Sequence, residues 1–215
     1  MINTVIFDMD GTIVDSMPVW KYAASRYVRS QGCVPAPDLD DMIFSMTIAQ
    51  YIEHIKKEYS IDKQTDKIAA EIHEQMIREY ESVPEKPGAL ELLRALKLKG
   101  IRLVLATSTD EEIAKPVLKR LNMWDLFEKH YCAAKKNSPD IFRKIIDELK
   151  VSADECFMVD DSDFVIKNAK AAGIKTVGVY DEVRAQYNNS LKDESDLYYI
   201  GFDNTDSIIK DILGK

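Results

Sequence analysis

Thr4-Val-Ile-Phe-Asp8-Met-Asp10-Gly11-Thr12 sets an apolar run directly against two carboxylates, a glycine and a hydroxyl. The run, residues 2–7, reads as a buried strand. Side chains two positions apart share a face of an extended chain. Where the strand ends and the backbone turns, Asp8 and Asp10 can converge on one small site. Two anions that close repel unless a cation lies between them or one binds a proton. A magnesium ion and an acid–base role meet both needs, so the stretch predicts a catalytic centre at a strand end.

Working outward, only helical patterns occur from about Pro18 to Val83. Pro18 suits the first turn of a helix, and a helix through Tyr22, Tyr27 and Val28 ends at Gly32. Val34-Pro-Ala-Pro37 is a connector, and 39–46 and 48–58 read as short helices. Ile68, Ile72, Met76 and Tyr80 recur at i+4, the stripe of one long amphipathic helix running toward Val83. After Pro84-Glu-Lys-Pro87-Gly88 the pattern alternates. Helix 88–99, strand 101–106, helix 110–121 and a short strand near Tyr131-Cys132 come first. Helix 138–150, strand 156–159, helix 162–172 and strand 175–179 follow, then Leu197–Ile200 and a helix over 205–213. Such alternation predicts the α/β class, a Rossmann-like parallel sheet flanked by helices. Residues 1–15 and 85–215 would form it, with 16–84 inserted as an all-helical domain.

The chain has 215 residues, 46% hydrophobic and 31% charged, which is ordinary for a globular protein. Its net charge of −8 and the lack of any basic run argue against nucleic acid as a partner. No apolar run approaches a membrane span, and no basic-then-apolar leader precedes Met1-Ile2-Asn3. The expectation is a cytoplasmic protein without a membrane partner. Cys33, Cys132 and Cys156, odd in number and lacking Cys-x-x-Cys spacing, read as reduced, buried thiols. The pattern leaves the oligomeric state open.

In open parallel sheets ligands bind beyond the carboxyl ends of the strands. Asp8, Asp10 and Thr12 stand there after the first strand, and Thr107, Ser108 and Thr109 after 101–106. Lys135 and Lys136 follow the short strand, and Asp160, Asp161 and Ser162 follow 156–159. Carboxylates, hydroxyls and a cation around one crevice are the parts of metal-assisted phosphoryl transfer. In this order the motifs resemble those of the haloacid dehalogenase superfamily. Asp8-Met-Asp10-Gly11-Thr12 is similar to its first motif, Thr107 to the second and Lys136 to the third. Asp160-Asp161-Ser162, with Ala169-x-x-Ala172-Gly173 downstream, is similar to the fourth. The resemblance covers the whole chain, and the helical insert lies where the family's cap belongs.

The resemblance implies roles. Asp8 would be the nucleophile, and Asp10 the acid and then the base, with Thr12 helping to hold it. Thr107, Ser108 and Lys136, with Gly11 and Thr12, would receive the transferring phosphoryl group. Asp8, the Asp10 carbonyl, Asp161 and Asp160 would hold magnesium, which prefers oxygen ligands. The implied partner is a small phosphorylated metabolite, a sugar phosphate among the candidates, enclosed by the cap during turnover. Two departures stand out. Asp160 replaces a usual glycine while Val165 stands where a later aspartate is common, a swap similar to the Glu-Asp of the β-phosphoglucomutase-like branch. Lys-Asn stands where Gly-Lys-Pro is usual, which leaves Lys135 or Lys136, and the distance to Pro139 favours Lys136.

Competing readings attach to several of these residues. Asp8 and Asp10 could be turn carboxylates, Lys136 a solvated surface lysine, and Asp160 a helix cap as readily as a ligand. One of Thr107, Ser108 and Thr109 is expected to cap the helix at Asp110. His54, His73 and His130 lack metal-ligand spacing. Tyr22, Tyr27, Tyr51, Tyr80 and Trp20 read as core, and Lys21, Lys56 and Lys57 lack any context for a Schiff base. Hydrolysis of a phosphate ester is the leading function. A phosphomutase is the alternative, weakened because Phe44–Ile48 has no arginine. A phosphate-binding protein on a degenerate catalytic fold is the non-enzymatic alternative.

Overall fold

The computed structural model describes residues 1–43 and 46–214. The chain divides into two compact units: Met1–Asp15 together with the chain from Pro84 onward, and Ser16–Val83.

The smaller unit is helical: α1 (Met17–Lys21), α2 (Ala23–Ser30), α3 (Leu39–Ile43), α4 (Ile48–Glu58) and α5 (Thr65–Tyr80). Thr47 starts α4 with a capping box, its hydroxyl accepting the Gln50 amide while the Gln50 side chain accepts the Thr47 amide. The expected stripe Ile68, Ile72, Met76 and Tyr80 is the buried face of α5. The helix expected from Pro18 to Gly32 is two helices, because Tyr22 leaves helical geometry at φ −99°, ψ 10°. Tyr27, Tyr51 and Tyr80 are core, as expected, but Trp20 and Tyr22 are exposed. Trp20 donates its indole N–H to the Tyr80 hydroxyl at 2.6 Å, so its polar edge, not burial, fixes it. Phe44 and Ser45 lie outside the described residues. The end of the 39–46 helix and part of the Phe44–Ile48 stretch therefore do too.

The larger unit is a six-stranded sheet of β1 (Thr4–Phe7), β2 (Arg102–Ala106), β3 (Lys129–Tyr131), β4 (Cys156–Asp160), β5 (Lys175–Val179) and β6 (Leu197–Tyr199). The order is β3-β2-β1-β4-β5-β6, and every pairing is parallel. Its helices are α6 (Ala89–Leu98), α7 (Glu111–Arg120), α8 (Asp140–Leu149), α9 (Asp163–Ala171), α10 (Asn188–Glu194) and α11 (Thr205–Leu213). Parallel strands are covered on both faces and must be apolar throughout, which is why β1 shows no alternation. On one face Ile6, Val104, Ala106, Cys156 and Met158 pack on Phe142, Ile145 and Leu149 of α8 and on Val165 and Ala169 of α9. Val165 is therefore core. On the opposite face Phe7 meets Phe127 edge-on at 6.4 Å. Fully burying a side chain such as Phe142 or Ile6 stabilises the unit by about 1.5–3 kcal/mol.

Helix α10 has no counterpart in the sequence reading. Asn188-Asn-Ser-Leu-Lys-Asp-Glu194 buries Leu191 alone and has no apolar period to betray it. Among the described residues no helix is long and apolar enough to cross a membrane.

Candidate active site

Register carries the site. β1 pairs with β2 as Phe7↔Leu105 and with β4 as Phe7↔Val159. One step further, Asp8 is abreast of Ala106 and Asp160, and its amide still donates to the Val159 carbonyl at 2.9 Å. The strand order reverses on either side of β1, the position at which such sheets open a crevice. Lys136, from the loop after β3, reaches both carboxylates, with its Nζ 2.7 Å from Asp8 Oδ1 and 2.7 Å from Asp160 Oδ2. Lys136 is buried and Lys135 exposed, so Lys136 is the lysine the fold brings to the strand ends. It is not a solvated surface lysine.

Asp10 sits one turn beyond, on a loop that needs Gly11 at φ 72°, the left-handed region. The Met9 carbonyl accepts from the amides of Thr12, Ile13 and Val14, while the Gly11 amide donates to Val14 O at 2.9 Å. That amide is committed to the loop, so Gly11 acts by shaping the turn. Asp10 Oδ2 accepts from Thr109 Oγ1 at 2.6 Å and, at 3.4 Å, from Thr107 Oγ1. Thr12 does not hold Asp10 as expected. Its Oγ1 is buried with no hydrogen-bond partner among the described residues. Nor does any of the three hydroxyls cap α7, whose N-cap is Asp110 without a side-chain bond. The Thr107 hydroxyl instead accepts the Thr109 amide at 3.1 Å, a local turn that aims both threonines at Asp10. Ser108 is exposed and donates to Ala134 O at 3.1 Å, tying the β2 loop to the segment carrying Lys136.

The end of β4 completes the cluster. Asp160 Oδ1 accepts the Ser162 amide at 2.9 Å just ahead of α9. It thus braces the helix entry while its Oδ2 faces Lys136, and Ser162, not Asp160, is the N-cap. Asp161 is buried, and its Oδ2 has no hydrogen-bond partner among the described residues. Arg184 Nε lies 3.5 Å away, an ion pair without a hydrogen bond, while Arg184 Nη2 donates to Ser162 Oγ at 3.2 Å. Burial pushes the Asp8 carboxyl up to about 7 against the pull of Lys136, with Asp160 and Asp10 adding to the rise. Burial and then Asp160 raise Asp161 well above the usual carboxylate range. For Lys136 burial works against the charge, but Asp160 and Asp8 outweigh it and hold its pKa above the ordinary lysine value.

Three buried carboxylates, Asp8, Asp160 and Asp161, offer oxygens all within 4.8 Å of one another. All-oxygen donors, three carboxylates against two cationic side chains, and an Asp161 oxygen without a hydrogen bond suit a hard divalent cation. Thus the residues fit a metal ion. A model of the haloacid dehalogenase-like hydrolases matches residues 5–179. The chain belongs to this family. Among its relatives a phosphorylated carbohydrates phosphatase of Thermotoga maritima is 29% identical, over 81% of this chain and 83% of that protein. A phosphoglycolate phosphatase of Rhodospirillum rubrum is 30% identical, over 82% and 79%. A solved Thermotoga maritima structure, provisionally named a β-phosphoglucomutase, superposes with a TM-score of 0.84 at 25% identity, covering 98% of this chain and 99% of its own.

Against that haloacid dehalogenase-like frame, two residues near the cluster escaped the sequence reading. Thr109 stands among the strand-end hydroxyls that the sequence places at the crevice, but its bond to Asp10 has no signal there. Arg184 follows β5, a strand end at which no residue was considered. The acidic cluster contains no histidine among the described residues. His130, for one, stacks on Trp124 at 3.8 Å and 12°. Cys33, Cys132 and Cys156 are free thiols, but only Cys156 is fully buried. Burial pushes the thiols of Cys132 and Cys156 up to about 11, which keeps them protonated and unreactive.

Proposed function

We propose that this member of the haloacid dehalogenase-like hydrolases is a magnesium-dependent phosphatase of a small phosphorylated metabolite, a carbohydrate phosphate above all. One observation carries the reading: Lys136 bridges Asp8 and Asp160 at 2.7 Å beside an Asp161 oxygen that no hydrogen bond occupies among the described residues. The relatives' names supply the substrate class.

In this reading an Asp8 oxygen attacks phosphorus, and the bond from phosphorus to the ester oxygen breaks. Asp10 gives its proton to the departing oxygen. Water then attacks the aspartyl-phosphate, Asp10 takes the proton back, and inorganic phosphate leaves Asp8 ionised. The Thr109 and Thr107 hydroxyls hold the Asp10 carboxyl in one rotamer through both steps. Lysine carries three donors. Two serve Asp8 and Asp160, and the third is assigned to a phosphoryl oxygen as charge gathers there. Asp8, Asp160 and Asp161, with the Asp10 carbonyl, would hold the cation. When bound it supplies charge neutralisation that lets a phosphate dianion approach a carboxylate.

The decisive experiment screens phosphorylated metabolites with the purified protein and magnesium, scoring phosphate release and isomer formation together. Phosphate release, abolished in a folded Asp8→Asn variant, is expected. Activity surviving that substitution refutes the nucleophile. An isomerised sugar phosphate without release of phosphate makes the protein a mutase. Failure of the folded protein to bind magnesium in calorimetry leaves the phosphate-binding alternative.

A further inference from the structure

Lys136 lies in the stretch that joins β3 to α8, with no regular element of its own. Its ammonium spans two strand ends, yet little of its own loop is regular. The backbone is pinned from one side, where the Ala134 amide donates to Thr107 O at 2.8 Å and Ser108 Oγ donates to Ala134 O. Asn137 follows Lys136, so no proline ring restrains the chain there. On the other side a side chain of α9 reaches in. Asn168, in the second turn of α9, donates Nδ2 to the Lys136 main-chain carbonyl at 3.0 Å. The neighbouring residues Val165, Ile166 and Ala169 are buried, so the backbone that aims Asn168 is anchored in the core.

We propose that Asn168 is a positioning residue for the reaction. It acts through Lys136, by fixing the carbonyl of the loop residue whose ammonium bridges Asp8 and Asp160. The inference rests on the phosphoryl-binding role proposed above for Lys136. An ammonium on a four-carbon stem keeps a fixed location only if its Cα is fixed. The Asn168 bond is the tie between that residue's backbone and the helix that follows Asp160 and Asp161. One helix therefore sets the acidic residues at its start and the lysine that faces them. Displacement of a catalytic group by about 1 Å costs on the order of 100-fold in rate. A loosened Lys136 loop costs turnover without removing any group that touches substrate.

Asn168→Asp tests this at constant volume, because a carboxylate has no donor for the Lys136 carbonyl. Asn168→Ala removes the group without adding charge. Three quantities are read on each folded variant: kcat for a phosphate ester, the inhibition constant of orthovanadate as a mimic of the transferring group, and the magnesium Kd by calorimetry. Both variants are expected to lose about 10- to 100-fold in kcat and to bind vanadate correspondingly more weakly. The magnesium Kd should stay within about twofold, since no metal-ligand candidate is touched. In a Lys136→Met background, Asn168→Asp should weaken vanadate binding no further, because the effect passes through the missing ammonium. Unchanged kcat and vanadate binding in both Asn168 variants overturn the proposal, as does an effect of equal size with and without the lysine. If Lys136→Met alone leaves turnover and vanadate binding intact, the role proposed for Lys136 has failed, and the positioning role fails with it. A loss for Lys136→Met with none for Asn168→Asp overturns the positioning role alone.

Discussion

Asp8 and Asp10 are two residues apart in the chain and live in different environments. Asp8 is buried against Lys136, while Asp10 is half-buried and held by two threonine hydroxyls. In the proposed mechanism this asymmetry suits one carboxyl to attack and the other to move protons. Thr109→Val keeps the side chain's shape and removes the 2.6 Å donor. A hydrogen bond to an ionised group is worth about 1.5–3 kcal/mol, so kcat should fall about 10- to 100-fold. Steady-state kinetics with an unchanged kcat would exclude Thr109 from holding Asp10. Gly88 sits at φ +77°, and a Cβ there would lie 2.7 Å from the Phe202 backbone. Gly88→Ala combines left-handed strain with a clash that only backbone movement relieves. A loss of about 2 kcal/mol or more is expected, read as a drop of roughly 4–8 °C in Tm. At this scale the convergence of Asp8, Asp10 and the lysine was legible, because each stands beyond the end of a recognisable strand. Thr109's direction was not, because a turn made by the Thr107 hydroxyl and the Thr109 amide sets it.

Between elements, segments near Asp8 are cross-braced. Val14 bridges Glu85 in an antiparallel pair, and Asp15 donates its amide to Pro84 O at 2.9 Å. Lys86, the residue after Glu85, forms a 2.6 Å ion pair with Asp181 just after β5, and both side chains are largely buried. The same loop, five residues beyond β5, carries Arg184 to Asp161. Asp181→Asn strands the Lys86 ammonium beside a neutral amide, and breaking a buried pair in this way costs about 3–5 kcal/mol. The double variant Lys86→Met/Asp181→Leu should recover much of that loss. Urea unfolding decides it, and a double variant as unstable as or less stable than the single one contradicts the account. The strongly periodic helices were legible in the sequence, α5 by its i+4 stripe and α9 by its run to Gly173. α10 was not legible, since a short polar helix with one buried leucine is held by the sheet rather than by its own pattern. Lys86 and Asp181 were equally hidden, because two charges 95 positions apart become partners only when the chain has folded.

Across the larger unit, the acidic cluster links stability, pH and metal. Asp8 binds its proton more tightly in the metal-free fold, at about 7, than in the unfolded chain, where its ordinary value is 3.8. Between those values the folded state holds more protons, so folding stability rises as pH falls. Asp161, also raised, acts in the same direction. In chelator the Tm should therefore climb as pH is lowered from 8 to 6. Magnesium must displace those protons, so its stabilising shift should be larger at pH 8 than at pH 6. Scanning calorimetry at both values, with and without magnesium, checks this. A metal-induced shift that grows as the pH falls would overturn it. Sequence alone determined the α/β class, the helical insertion and which strand ends carry the carboxylates and hydroxyls. Those features follow from local periodicity and from residues adjacent in the chain. Only tertiary structure decided that Lys136 bridges Asp8 and Asp160, that Asp160 serves both lysine and helix, and that Thr109, Asn168 and Arg184 surround them. Each of those facts depends on strand register and helix packing, which join residues far apart in sequence and leave no local pattern to read.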